Sequence, residues 1–112
     1  MSQPRTETIR RYRRRTVRVA VEYAGTFGHA RAVATTLGAG GMFIASEAPL
    51  PTGTRFTVRF SLPGTHSVHE IPAHVVWSNT SADANGSGVG MGIAFDDRRA
   101  CASLAIALET LR

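Results

Sequence analysis

The segment Thr16-Val17-Arg18-Val19-Ala20-Val21-Glu22-Tyr23 alternates apolar residues with polar or small ones. Side chains of an extended chain leave on alternate faces. Val17, Val19, Val21 and Tyr23 therefore share one side of a strand, and Arg18, Ala20 and Glu22 the other. A strand with one apolar face must bury it against another layer. The same pattern recurs along the chain. Gly25-Thr26-Phe27-Gly28 reads as a hairpin turn into a second strand over His29–Thr35. Leu37-Gly38-Ala39-Gly40-Gly41 interrupts it, and Met42-Phe43-Ile44-Ala45 resumes as a third. After the turn cluster Pro49-Leu50-Pro51-Thr52-Gly53, Thr54–Leu62 sets Phe56, Val58 and Phe60 against Arg55, Thr57 and Arg59. Pro63-Gly64 closes that strand. A fifth follows over His66–Trp77, with Ile71, Ala73, Val75 and Trp77 on one face and Pro72 predicting an edge or a bulge. Ser78–Ser87 is a polar loop, and Val89, Met91, Ile93 and Phe95 form the apolar face of a sixth strand.

The period changes at Asp96-Asp97. Cys101, Leu104, Ala105, Leu108 and Leu111 recur at helical spacing, with Asp96 or Asp97 placed to cap the first turn. Six short antiparallel strands and one amphipathic helix imply an all-β fold: a six-stranded antiparallel barrel, closed to remove its edges, with a C-terminal α-helix. Phe43, Phe60, Trp77 and Phe95 are expected in its core, with Leu104 and Leu108 docked on it.

A chain of 112 residues has room for one domain. The expected division is a mobile polar tail over 1–9 and a folded domain over 10–112. The single cysteine, Cys101, excludes an intramolecular disulfide and reads as a buried core thiol. No apolar run approaches the roughly 20 residues that span a bilayer, and no apolar segment follows the basic N-terminus. The expected placement is soluble and cytoplasmic, without membrane insertion.

Charge is unevenly placed. Residues 1–18 hold seven Arg and one Glu, a net of +6, whereas 19–112 hold six Arg against seven acids, a net of −1. Lys is absent. Guanidinium groups present a planar fork of donors suited to phosphate or a guanine edge, so the cluster points to an anionic partner.

Three blocks carry a family resemblance. Arg14-Arg15-Thr16-Val17-Arg18-Val19 holds an Arg-x-x-x-Arg spacing (Arg14 and Arg18) just ahead of the first expected strand. Thr36-Leu37-Gly38-Ala39-Gly40-Gly41 precedes the apolar Met42-Phe43-Ile44. Val75-Val76-Trp77 is followed, after a loop, by Gly90-Met91-Gly92-Ile93-Ala94-Phe95. In this order the blocks resemble a PilZ domain over roughly residues 10–111. The resemblance implies a bacterial, non-enzymatic adaptor of β-barrel fold that binds cyclic di-GMP and signals to a downstream protein it does not identify. It implies ligand contacts from Arg14 and Arg18, with Arg13 and Arg15 beside them, and from Thr36, Gly38 and Gly41 across the barrel mouth. Ligand would then order Arg10–Arg18 against the Thr36–Gly41 loop.

The second block departs from the family's Asp/Asn-x-Ser-x-x-Gly. Thr36 stands for the acid or amide and Gly38 for the serine; Gly41 is kept. Each lost charge-assisted bond costs about 1.5–3 kcal/mol, so weak binding is expected. Two other readings stay open: a degenerate PilZ domain that has lost the ligand and works through protein contacts, and an arginine arm for nucleic acid. The last is not favoured, because only Tyr12 is interleaved with the basic residues.

The remaining constellations read as structural. Gly86, Gly88, Gly90 and Gly92 recur at period two and predict a bare strand face for close packing. His66 and His69 leave an extended strand on opposite sides, so no metal site is expected with Glu70 or His74. No cofactor and no catalytic set are expected.

Overall fold

The computed structural model describes residues 14–80 and 88–110, with residue 14 described for its backbone alone. The elements are β1 (Arg14–Gly25), β2 (Gly28–Gly38), β3 (Gly41–Ala45), β4 (Arg55–Ser61), β5 (Val68–Asn79), β6 (Gly90–Phe95) and α1 (Arg98–Glu109). All pairings are antiparallel and close a barrel in the order β1-β2-β3-β6-β5-β4. The expected architecture is therefore the observed one. Strand ends move by a few residues. β2 continues through Gly38, so the break after it shrinks to the turn at Ala39-Gly40.

The alternating faces line the interior. Val19, Val21, Tyr23, Phe56, Val58, Phe60, Ile71, Ala73, Val75, Met91, Ile93 and Phe95 are all buried. Pro72 sits opposite Thr57 at the end of the β5–β6 ladder, and its carbonyl accepts the Asp96 N–H (2.8 Å). Its missing N–H thus falls where that ladder stops.

α1 begins at Asp97, whose Oδ1 accepts the Ala100 N–H at 3.0 Å. Of the two candidate caps, Asp97 is therefore the one used. Asp96 instead meets His74, Oδ1 to Nδ1, at 2.8 Å. Cys101, Leu104 and Leu108 are buried beneath the helix, while Ile106 faces outward at 67% exposure. Leu111 lies outside the described residues.

Three ladders skip a residue. β1 gains one between Thr16 and Val19, β2 one between Ala34 and Thr36, and β5 one between Val75 and Trp77. An inserted residue reverses the phase of the strand beyond it. The third insertion overturns one expectation. Trp77 does not share the inward face of Val75; it lies outside at 42% exposure, with Val76 at 49%. Phe43 is likewise only partly buried and stacks on Trp77, with ring centroids 5.4 Å apart and planes at 27°.

Two outcomes follow from the core. Phe95 is 8% exposed and stacks on Phe60 at 6.2 Å. Phe95→Ala is expected to cost about 3–5 kcal/mol through lost burial and the cavity left, read by denaturant unfolding. Burial, and then the neighbouring Asp97 and Asp96 carboxylates, push the Cys101 thiol above its ordinary value. Alkylation of Cys101 near neutral pH is expected to be slow in the folded chain and to accelerate on unfolding, as followed by mass spectrometry.

Candidate functional site

The β1–β2 register brings the first two sequence blocks together. Arg14 pairs with Gly38, Arg15 with Leu37 and Thr16 with Thr36. On the far side of β2, Thr36 pairs with Phe43 and Gly38 with Gly41. Arg14 and Arg18 thus lie within β1 rather than ahead of it. The expectation that ligand orders Arg10–Arg18 does not hold for its second half, which is already strand. Arg10, Arg11 and Arg13 lie outside the described residues.

The three bulges create a row that no strand pattern predicts. Reading across the barrel, Thr16 pairs with Thr36, Thr36 with Phe43, Phe43 with Gly92, and Gly92 with Trp77. The side chains of this row are exposed or half-buried, so the row is an outer surface. Gly92 is buried beneath it, and a Cβ there would run into the Trp77 indole. The bare face expected from Gly90 and Gly92 is therefore real, and aromatic rings cover it: the Phe43 ring lies over Gly90. Gly88 precedes the strand and Gly86 is outside the described residues.

Thr36 uses its hydroxyl locally. Its Oγ1 accepts the Phe43 N–H at 3.2 Å, taking the place of a ladder carbonyl at the bulge. Gly41 has a different constraint, since a Cβ there would meet the Ile93 carbonyl oxygen. The turn between Gly38 and Gly41 is held from below by the Phe95 N–H, which donates to the Gly40 carbonyl (2.9 Å). Positive φ among the described residues is confined to Gly28, Gly53 and Gly64, so Gly38 has a backbone that any residue adopts.

Not every candidate arginine joins this row. Arg15 follows Leu37 in register, out of phase with Arg14 and Thr16, and lines a cleft of about 490 Å³ with Pro63, Gly64 and Thr65. Arg18 is exposed at the β1 bulge. It lines that cleft and a second of about 610 Å³, which reaches Arg31 on β2 and Arg59 on β4. Among the described residues no group of three or more His, Cys, Asp or Glu side chains converges as a metal site.

Sequence reasoning missed Trp77, which it placed in the core. One signal was available: two glycines alternating on β6 need a neighbouring ring to cover them.

The PilZ domain family model matches residues 8–107. No curated protein matches the chain. Among solved structures, the chain is similar to the Bacillus subtilis inhibitor of motility MotI/DgrA, with a TM-score of 0.69 and 18% identity over 97% of this chain and 57% of that one. It thus spans just over half of that protein's length. It is similar to the PilZ domain of CeSA from a cellulose-synthesizing bacterium, with a TM-score of 0.60 and 24% identity over 87% of this chain and 98% of that one. It is also similar to the Escherichia coli YcgR PilZ domain, solved with c-di-GMP, with a TM-score of 0.61 and 18% identity over 89% and 91%. These likenesses are likenesses of fold. Together with the family match over nearly the whole sequence, they show that the chain belongs to the PilZ domain family.

Proposed function

We propose that the chain is a non-enzymatic, cytoplasmic receptor of bacterial cyclic di-GMP signalling, which binds its ligand weakly and signals to a partner protein. One observation carries this reading: the register that sets Arg14 across from Gly38 and Thr16 across from Thr36. The Arg-x-x-x-Arg strand and the Thr36–Gly41 segment are neighbours at one level of the barrel. A guanidinium can donate two parallel bonds to phosphate or to guanine O6 and N7. Arg18 is exposed, and among the described residues no carboxylate pairs with it. The Phe43–Trp77 stack adds an aromatic plane to the same outer row, on which a purine can lie. The cyclic di-GMP bound by the YcgR domain, which shares this fold, supports the choice of ligand.

A second reading is favoured by one bond. The Thr36 hydroxyl already accepts the Phe43 N–H. It also lacks the carboxylate that would take two bonds from guanine. On this reading the domain has lost the nucleotide and works by protein contacts alone.

Calorimetric titration with cyclic di-GMP separates the two. The native chain is expected to bind no more tightly than micromolar, about −8 kcal/mol. Arg14→Ala and Arg18→Ala are expected to abolish binding, and Arg18→Ala to leave the melting temperature unchanged, because that side chain is exposed. Nanomolar binding by the native chain would show that Thr36 and Gly38 are sufficient and remove the second reading.

The reverse substitution is the sharper test. Thr36→Asp with Gly38→Ser restores both polar anchors. An aspartate oxygen can still accept the Phe43 N–H, and serine meets no positive φ at residue 38. Affinity is expected to rise about 10²-fold or more. No binding even then would favour the module that acts by protein contacts.

A further inference from the structure

β1 is paired along its whole length on one side only. Its ladder with β2 runs from Arg14–Gly38 to Gly25–Gly28. Its ladder with β4 is confined to Val21–Phe60 through Ala24–Thr57. β4 stops at Ser61, and the chain turns away at Pro63-Gly64, where the Thr65 N–H returns to the Leu62 carbonyl (3.1 Å). From Arg14 to Ala20, no strand among the described residues lies beside the second edge of β1. Backbone N–H and C=O groups on such an edge need partners from water or from another chain.

This edge opens on the two clefts of about 610 and 490 Å³, which share Arg18 and Pro63. Their chemistry is one-sided. Arg15, Arg18, Arg31 and Arg59 stand exposed around them against one carboxylate, Glu22, which pairs with Arg31 at 3.6 Å. Small residues, Ala20, Ala32 and Ser61, leave the space open. The chain's own preceding segment, with four Arg and one Glu over residues 1–13, has the wrong sign to be drawn there. A second copy, with net charge +5, is also disfavoured.

We propose that the free edge of β1 over Arg14–Ala20 docks an extended acidic segment of a partner protein, which adds to the barrel as an extra strand. Backbone ladder bonds hold such a strand, and the surrounding guanidinium groups select its charge. This goes beyond nucleotide binding: it names the surface through which the domain would meet a protein. Because Arg14 and Arg18 belong to both sites, the test relies on Arg31 and Arg59.

The probe is an acetylated, amidated peptide of about eight residues alternating Glu and Val, added to the full ¹⁵N-labelled chain. Amide resonances of Arg15–Ala20 are expected to shift, and hydrogen exchange of those amides in the stretch that point away from β2 to slow by about tenfold or more. The same peptide N-methylated at alternate amides, and a Lys–Val peptide, are each expected to bind at least about tenfold more weakly. Arg31→Glu with Arg59→Glu is expected to weaken the Glu–Val peptide similarly, its fold checked by unchanged core resonances. Slow exchange, in the free chain, of the Arg15–Ala20 amides that point away from β2 would show the edge already covered and overturn the proposal. So would absence of binding, equal binding of the N-methylated peptide, or equal binding of the Lys–Val peptide.

Discussion

A closed barrel gives each strand one inside and one outside, and a strand can exchange them only by inserting a residue. That constraint governs this molecule. β1, β2 and β5 each insert one residue, and the insertions lie at one level, around the row from Thr16 to Trp77. On one side of that level Val19, Ala34, Ile44 and Met91 point inward, and on the other Leu37, Met42, Ile93 and Val75 do the same. Without the insertion at Val76, Trp77 would fall in the inward phase of Val75 and project into the interior.

The outer row depends on two glycines for its shape. Gly92 lets the indole lie flat on the sheet, and Gly41 lets β3 start close against the Ile93 carbonyl. The Phe95 N–H then holds the intervening turn through the Gly40 carbonyl. A turn fixed in this way costs little further ordering when a ligand arrives. β1 parts from β4 beyond Val21, on the N-terminal side, so the proposed nucleotide face and the free strand edge both rest on β1.

The fold was largely legible because two periodicities carry it. Val19, Val21 and Tyr23, and again Phe56, Val58 and Phe60, alternate without interruption and are buried as that pattern requires. The switch to helical spacing at Asp96-Asp97 located α1, with the cap at Asp97. Bulges were not legible, since an inserted residue has no composition of its own. Val76 looks like any strand valine, and the phase it alters moved Trp77 from the core to the surface. The candidate site was half legible. Block spacing pointed to Thr36, Gly38 and Gly41. It could not tell that Arg15 would stand across from Leu37 and Thr16 across from Thr36, because those pairings depend on register against β2. The division of the chain into a tail over 1–9 and a domain over 10–112 stays a proposal.

The phase reversal turns Trp77 outward onto the face proposed to bind the nucleotide. Trp77 is the only tryptophan in the chain, so its fluorescence reports on that face alone. The direct measurement is emission during a cyclic di-GMP titration, with acrylamide quenching before and after saturation. The account predicts an indole open to acrylamide in the free chain, and quenched emission with reduced acrylamide access once nucleotide is bound. An indole shielded from acrylamide in the free chain, or one unchanged while calorimetry records binding, would contradict it.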